Sequence, residues 1–273
     1  MAKTIYFKGL NGIRAIAALI VVVWHTDQFS YLFHLLPKKI YLSGMAARAV
    51  DIFFVLSGFL ITYLLLLEKD KHGKINFKKF YLRRIYRIWP LYYLIVILSL
   101  ILIYFKVIPT SENPIYTVFF NVFIMANIAY VLKIQFPAIT PLWSLGVEEQ
   151  FYLIWPYFIS KTKKYLKVFI VFYFFILLLR ITSFYVLREK YPIWVSFLYD
   201  FRVNIMAFGA IGAYLVYSKH KVLNYIYRKD VQLISWLVLL YSCLIKPIHI
   251  RTFIDSEINS IFYLIIILNV ATN

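Results

Sequence analysis

Apolar residues in this chain come in long blocks rather than in the alternating or one-face stripes of a soluble domain. The first runs from Gly12 to Phe29, and others cover about 47–67, 89–107, 143–159, 168–187, 203–217, 231–245 and 258–273. Each holds about 15–21 residues, close to the roughly 20 that a helix needs to cross a bilayer core of about 30 Å. Lipid offers the backbone no hydrogen-bond partners, so each block predicts a helix. The first block begins like a signal-peptide core, but Trp24-His25-Thr26-Asp27 stands where a small-residue cleavage site would follow. It therefore predicts a retained span. The fold expected is an all-α polytopic integral membrane protein of about eight transmembrane helices. The pattern holds no internal repeat and no soluble linker, so residues 1–273 are expected to form one domain. The chain stops at Asn273 before any closing loop, which suggests a truncated or minimal form.

Composition excludes the soluble alternatives. Apolar residues make up 63% of the chain and charged residues 15%, against roughly 45–50% and about 25% in soluble domains. So much apolar surface has to face lipid. The same figures exclude disorder. A disulfide framework is excluded because Cys243 is the only cysteine. The net charge of +18 is compatible with nucleic-acid binding in principle, but the basic residues lie between apolar blocks. Loops that hold helix ends at a cytoplasmic surface and attract anionic lipid explain that placement better, and no nucleic-acid partner is expected.

The distribution of the basic residues sets the orientation. Clusters before the first block, at Lys69–Arg87, at Lys161–Lys167 and at Lys219–Lys229 place eighteen Lys and Arg on one side, and the alternate loops hold eight. The positive-inside rule puts the richer side, with the N-terminus, in the cytoplasm of a bacterial inner membrane. Residues 116–132 are apolar enough for a further span, but counting them would move the Lys161–Lys167 cluster outside. They also carry Asn121 and Asn127 near their middle. The segment is therefore expected to be re-entrant or extracytoplasmic and buried in protein.

Ionisable groups inside spans are costly and point to function. Arg14 and His25 are eleven residues apart, close to three helical turns, so both project from one face about 16 Å apart. Arg14 is then near the cytoplasmic mouth and His25 in the outer half; the alternatives are an end anchor and a packing histidine. Counting inward from the outer face puts Asp51 and Glu148 within about 6–10 Å of that face, at a depth similar to His25. A carboxylate beside an imidazole fixes its tautomer and supports the imidazolium, as a general base requires. Glu149 points about 100° away from Glu148 and is expected to meet a basic partner such as Arg48 or Arg202. A structural ion-pair network is the competing explanation. Arg83, Arg84 and Arg87, at the cytoplasmic end of the third helix, suit the phosphates of a nucleotide-like ligand, or else anchor the helix. No Walker loop, G-x-G-x-x-G, G-x-S-x-G or zinc-type Cys/His cluster occurs, so no metal is expected.

Four stretches resemble the acyltransferase 3 family of membrane O-acyltransferases. They are Gly9–Ala18 with His25, Val50–Ile61 with Asp51, Ser57 and Gly58, Arg83–Pro90, and Trp143–Tyr152 with Ser144, Glu148 and Glu149. Arg202 with Gly209 and Gly212 resembles a weaker later motif. The strong part covers residues 5–160. The resemblance implies transfer of an acyl group, often acetyl, from cytoplasmic acyl-CoA to a hydroxyl of an extracytoplasmic or cell-surface glycan. It further implies His25 as the catalytic base assisted by Glu148, with Arg14, Arg83, Arg84 and Arg87 holding acyl-CoA. Asp51, Ser57, Gly58, Trp143, Ser144, Glu149 and Arg202 take supporting places. Family members usually carry about ten spans, more than this chain predicts. The rival class is a proton-coupled transporter or flippase of a glycan or lipid-linked precursor, with His25 and Glu148 relaying protons. Inverted repeats or matching broken helices would favour it, and the sequence has neither.

Overall fold

The computed structural model describes residues 7–32, 43–244 and 254–272. Among these there are twelve α-helices and a 3-10 turn, and no strand. The helices are α1 (Lys8–Leu32), α2 (Ser43–His72), α3 (Phe77–Tyr104), α4 (Pro114–Val122), α5 (Ala126–Val131) and α6 (Trp143–Lys161). Then come α7 (Tyr165–Val186), α8 (Pro192–Asp200), α9 (Val203–Tyr217), α10 (Val222–Ile226), α11 (Lys229–Leu244) and α12 (Asp255–Thr272). Among the described residues four helices are long and apolar enough to cross a membrane: Gly9–Asp27, Met45–His72, Phe77–Tyr104 and Tyr165–Val186. Their apolarity identifies a membrane protein, but the expected count of about eight is not confirmed among the described residues. The other blocks are helical too, yet α9 and α11 have 15 and 16 residues. Polar groups interrupt the rest, Glu148 to Gln150 in α6 and Asp255 to Glu257 in α12.

The third block proves to be the second part of a longer helix. Asn76 caps α3, its Oδ1 accepting from the Lys79 N–H at 2.9 Å, while Glu68 Oε1 accepts from the Asn76 N–H at 3.0 Å. A capped start in polar sequence puts the arginine run inside the helix, in its second and third turns.

The described chain forms two compact units. Unit 1 comprises residues up to Tyr63 and from Ile205; unit 2 is Leu64–Asn204. In unit 1, α2 and α9 touch backbone to backbone. A Cβ on Gly58 would stand 1.8 Å from the Met206 carbonyl oxygen, and one on Gly209 2.1 Å from that of Val55. Small residues permit such contact, which holds helices together where lipid removes the hydrophobic drive. α12 runs antiparallel against α1, with Gly9 beside Val270. An apolar cavity of about 80 Å³ sets Ile13–Ile20 of α1 level with Met45–Ile52 of α2. The Phe7 ring packs on Phe59 and Tyr63 at 5.6 and 5.2 Å, as an antiparallel pair requires.

Unit 2 gathers most of its basic residues at one end. Lys69 Nζ donates to the carbonyls of Ile159, Ser160 and Thr162 at 2.8, 3.0 and 2.9 Å, placing a cation on the negative end of α6. Tyr81 Oη donates to the Leu153 carbonyl at 2.7 Å, so α3 and α6 run antiparallel from this end. At the opposite end, residues 116–132 are two short helices rather than a span. The chain turns at Ile124, whose φ is 57°. Asn121 Nδ2 donates to the Thr117 carbonyl and to Gln135 Oε1, each at 2.8 Å. The Tyr92 hydroxyl donates to the Asn121 carbonyl at 3.1 Å. Asn127 and Gln150 exchange amide hydrogen bonds of 3.1 and 2.9 Å. The two asparagines thus find their partners inside the protein, around a core of Tyr92, Val96, Ile124, Ala126, Phe136, Ile139 and Leu142.

A segment folded back in this way leaves and re-enters on one side. In a Cys243→Ser background, single cysteines at Pro114 and Ala138 are expected to react with an impermeant maleimide from the same side of the membrane. Labelling from opposite sides would make 116–132 a crossing.

Candidate active site

The seam between α3 and α6 collects one group of polar residues of unit 2. Their antiparallel register sets Trp89 opposite Glu149 and Arg84 opposite Tyr152. Trp89 Nε1 donates to Glu149 Oε2 at 3.3 Å. The half-buried Arg84 guanidinium lies 5.7 Å from the ring centroids of both Phe80 and Tyr152, and its charge acts on Glu149. The Tyr152 hydroxyl donates to Glu148 Oε2 at 2.9 Å, one turn away on the same helix. The adjacent glutamates therefore separate, Glu148 held by its own helix and Glu149 turned to α3. Glu149 meets Trp89 and Arg84 there instead of Arg202. The sequence reading had no role for Tyr152 or Trp89; their places within the Arg83–Pro90 and Trp143–Tyr152 stretches were the available signal.

The arginine run divides. Arg83 is exposed and pairs with Glu68 of α2 at 3.2 Å, and such exposed pairs contribute about 0–1 kcal/mol. Arg87 is exposed, and among the described residues it makes no ion pair. Arg84 alone of the three enters the seam.

Trp143 opens α6 at the other end. Its ring stacks on Tyr130, with centroids 5.4 Å apart and planes 18° apart, and the Arg202 guanidinium lies 5.9 Å from it. Arg202 also covers Tyr199 at 5.4 Å, and Arg180 covers the same ring at 5.6 Å. Burial pushes the Asp200 carboxyl above its ordinary range, against the pull of Arg202 and Arg180. Burial raises the Tyr130 hydroxyl as well, and the Asp200 charge adds to that shift. Ser144 Oγ donates to the Pro141 carbonyl at 3.2 Å and ties the 3-10 turn at 137–142 to α6. Sequence reasoning missed Arg180 and Asp200. Arg180 was detectable as an arginine deep inside an apolar block, whereas Asp200 lies between blocks and gave no signal.

In unit 1, α1 is unbroken from Lys8 to Leu32, so Arg14 and His25 share a face as the spacing predicts. Both are half-buried, and the His25 ring meets Trp24 at 4.4 Å. Asp51 is buried but not at the depth of His25. With Met45–Ile52 level with Ile13–Ile20, Asp51 belongs to the Arg14 turn of α1. Counting inward from block ends puts the two at one depth, whereas the pairing of α1 with α2 does not. Asp27 and Glu257 are also buried. Counting along α1 and α12 from the Gly9–Val270 contact puts Glu257 within about one turn of the height of His25. Ser57 is half-buried, and Gly58 serves the contact with α9. Among the described residues no group of three or more His, Cys, Asp or Glu is arranged to hold a metal ion.

Comparison with known proteins gives this arrangement a family. The chain is 34% identical over 170 residues to the peptidoglycan O-acetyltransferase OatA of Listeria monocytogenes, covering 59% of this chain and 25% of the relative. It is 34% identical over 164 residues to a putative O-acetyltransferase of Staphylococcus aureus, covering 56% and 25%. The putative peptidoglycan O-acetyltransferase YrhL of Bacillus subtilis is 33% identical over 162 residues, covering 56% and 24%. The chain thus spans about a quarter of the length of these relatives. No solved structure matches it. The family model described as an acyltransferase domain (acyltransferase 3) matches residues 7–271, across both units. That match gives the transporter reading no support, and it establishes that the chain belongs to the acyltransferase 3 family.

Proposed function

We propose that the protein moves an acyl group, acetyl in the first instance, from cytoplasmic acyl-CoA to a hydroxyl of a cell-envelope glycan, with peptidoglycan as the leading acceptor. The observation that carries this reading is the polar seam of Arg84, Glu149, Trp89, Tyr152 and Glu148. It leads inward from the basic end of unit 2, where a polyanionic donor would dock. The names of the relatives support the acceptor class. The charge asymmetry of the loops supports an inner-membrane protein with a cytoplasmic N-terminus.

In this proposal Arg14, Arg83, Arg84 and Arg87 hold the donor phosphates, and His25 takes the proton of the acceptor hydroxyl. The oxygen then attacks the thioester carbon, the carbon–sulfur bond breaks, and CoA leaves as the thiol after regaining a proton. General-base assistance of this kind is worth about 10²–10⁴-fold. Glu148 supports the imidazolium. A second candidate for that support is Glu257, a buried acid near the height of His25 within unit 1.

The test is release of CoA thiol from acetyl-CoA by the purified protein, measured with and without a glycan acceptor. Acceptor-dependent release is expected, and its absence in folded, donor-binding protein would end the proposal. Arg87→Ala is the cleaner donor variant because Arg87 is exposed; Arg84→Ala also removes a partner of Glu149. Charge-assisted bonds contribute roughly 1.5–3 kcal/mol, so Arg87→Ala is expected to weaken donor binding about tenfold or more with unchanged yield. Unaltered affinity would return the run to the role of a helix anchor.

A further inference from the structure

We propose that the groove between α6 and α7, at the basic end of unit 2, binds one anionic phospholipid, its acyl chain along the groove and its phosphate among four lysines. The groove has a volume of about 780 Å³ and is walled by Phe158, Val168, Val171, Phe172 and Phe175. Its floor is fixed, because Phe172 packs on Trp155 at 5.5 Å and on Phe158 at 5.7 Å. From Lys164 to Phe175 the groove follows α7 for about 16 Å, much of the length of an extended acyl chain. Val171 and Phe175 are exposed, so the trough opens sideways, where lipid tails lie.

The mouth has the opposite character. Lys161, Lys163, Lys164 and Lys167 line it, and all four are exposed. Among the described residues none of them forms an ion pair with a carboxylate. Nor does the negative end of α6 occupy them, since Lys69 already takes the Ile159, Ser160 and Thr162 carbonyls. The turn is held further by Thr162 Oγ1, which accepts from the Lys164 N–H at 3.1 Å. Lys161 also lies over the Tyr157 ring at 5.7 Å, and four exposed cations free of carboxylate partners above a greasy trough complement a phosphate carrying acyl chains. The seam proposed for the donor lies between α3 and α6 and uses none of these residues, so this inference does not rest on acyl transfer.

Native mass spectrometry of the detergent-purified chain, titrated with phosphatidylglycerol and with phosphatidylcholine, is the test. Wild type is expected to retain one phosphatidylglycerol in preference to phosphatidylcholine. The K161Q/K163Q/K164Q/K167Q variant should lose that preference by at least about tenfold. V171W, which fills the trough without changing charge, should lose it too. K219Q/K221Q/K229Q should retain it. Equal loss in that control, or full retention in V171W, would reduce the effect to diffuse attraction and overturn the site. Displacement of the bound lipid by coenzyme A would overturn it in favour of a donor subsite.

Discussion

His25→Ala is expected to lower acyl transfer by about 10²–10⁴-fold while leaving acetyl-CoA binding and the folded yield unchanged. Glu148→Ala should approach the same loss if it supports the imidazolium, and the double variant should then be little worse than either single one. Residues that act as a unit behave this way, because the second has nothing to support once the first is gone. Additive losses would separate them and pass the supporting role to Glu257, for which Glu257→Gln provides the matching cycle. Glu149→Ala has a different expected signature. It strips Trp89 of its acceptor and Arg84 of a neighbouring negative charge, so thermal stability should fall more than turnover. A purified, folded His25→Ala protein with wild-type transfer rates would remove the catalytic assignment.

Gly58→Ala carries the largest structural effect. The added methyl carbon would come 1.8 Å from the Met206 carbonyl oxygen and 2.6 Å from its carbon. Those atoms are backbone within a helix and cannot swing aside, so α2 and α9 have to part. Overpacking typically costs about 1–3 kcal/mol and sometimes more, and this overlap belongs at the upper end. The expected result is a sharp loss of monodisperse protein, or a Tm lowered by several degrees in detergent. Gly12→Ala is the control: nothing lies within 4 Å of its Cβ position, and an exposed helical Gly→Ala change gains roughly 0.5–1 kcal/mol. Equal Tm values for the two variants would contradict the packing of α2 on α9.

The sequence made the helices legible because lipid demands a continuous apolar run, and each such run carries a helix among the described residues. It also made the folded-back segment legible, since Asn121 and Asn127 need partners that lipid cannot supply. Span count was harder to read. Glu148 to Gln150 and Asp255 to Glu257 lie inside helices that protein, rather than lipid, partly covers, and hydropathy cannot separate the two. Depth failed for Asp51 because it depends on how α2 pairs with α1, which the ends of apolar blocks do not record. The partner of Glu149 was out of reach as well. Which residue of α3 faces it depends on the antiparallel register with α6, a tertiary fact with no trace in local spacing. Two of the four family-like stretches, Arg83–Pro90 and Trp143–Tyr152, meet along the α3–α6 seam, since each carries its own polar residues within an apolar run.

The exchange of hydrogen bonds between Asn127 and Gln150 has a bearing on how the protein ages. Each amide gives one hydrogen and accepts one, so the pair tolerates no change of chemical type at either end. Hydrolysis of one side chain to the acid would exchange its donor for a second acceptor and bring oxygen against oxygen. Gly146 closes the space beside Asn127, since even a methyl there would stand 2.8 Å from its Oδ1. The new carboxylate would have little room to turn away. Slow deamidation at this one couple would therefore loosen α5 from α6 beside Glu149 before any helix was lost.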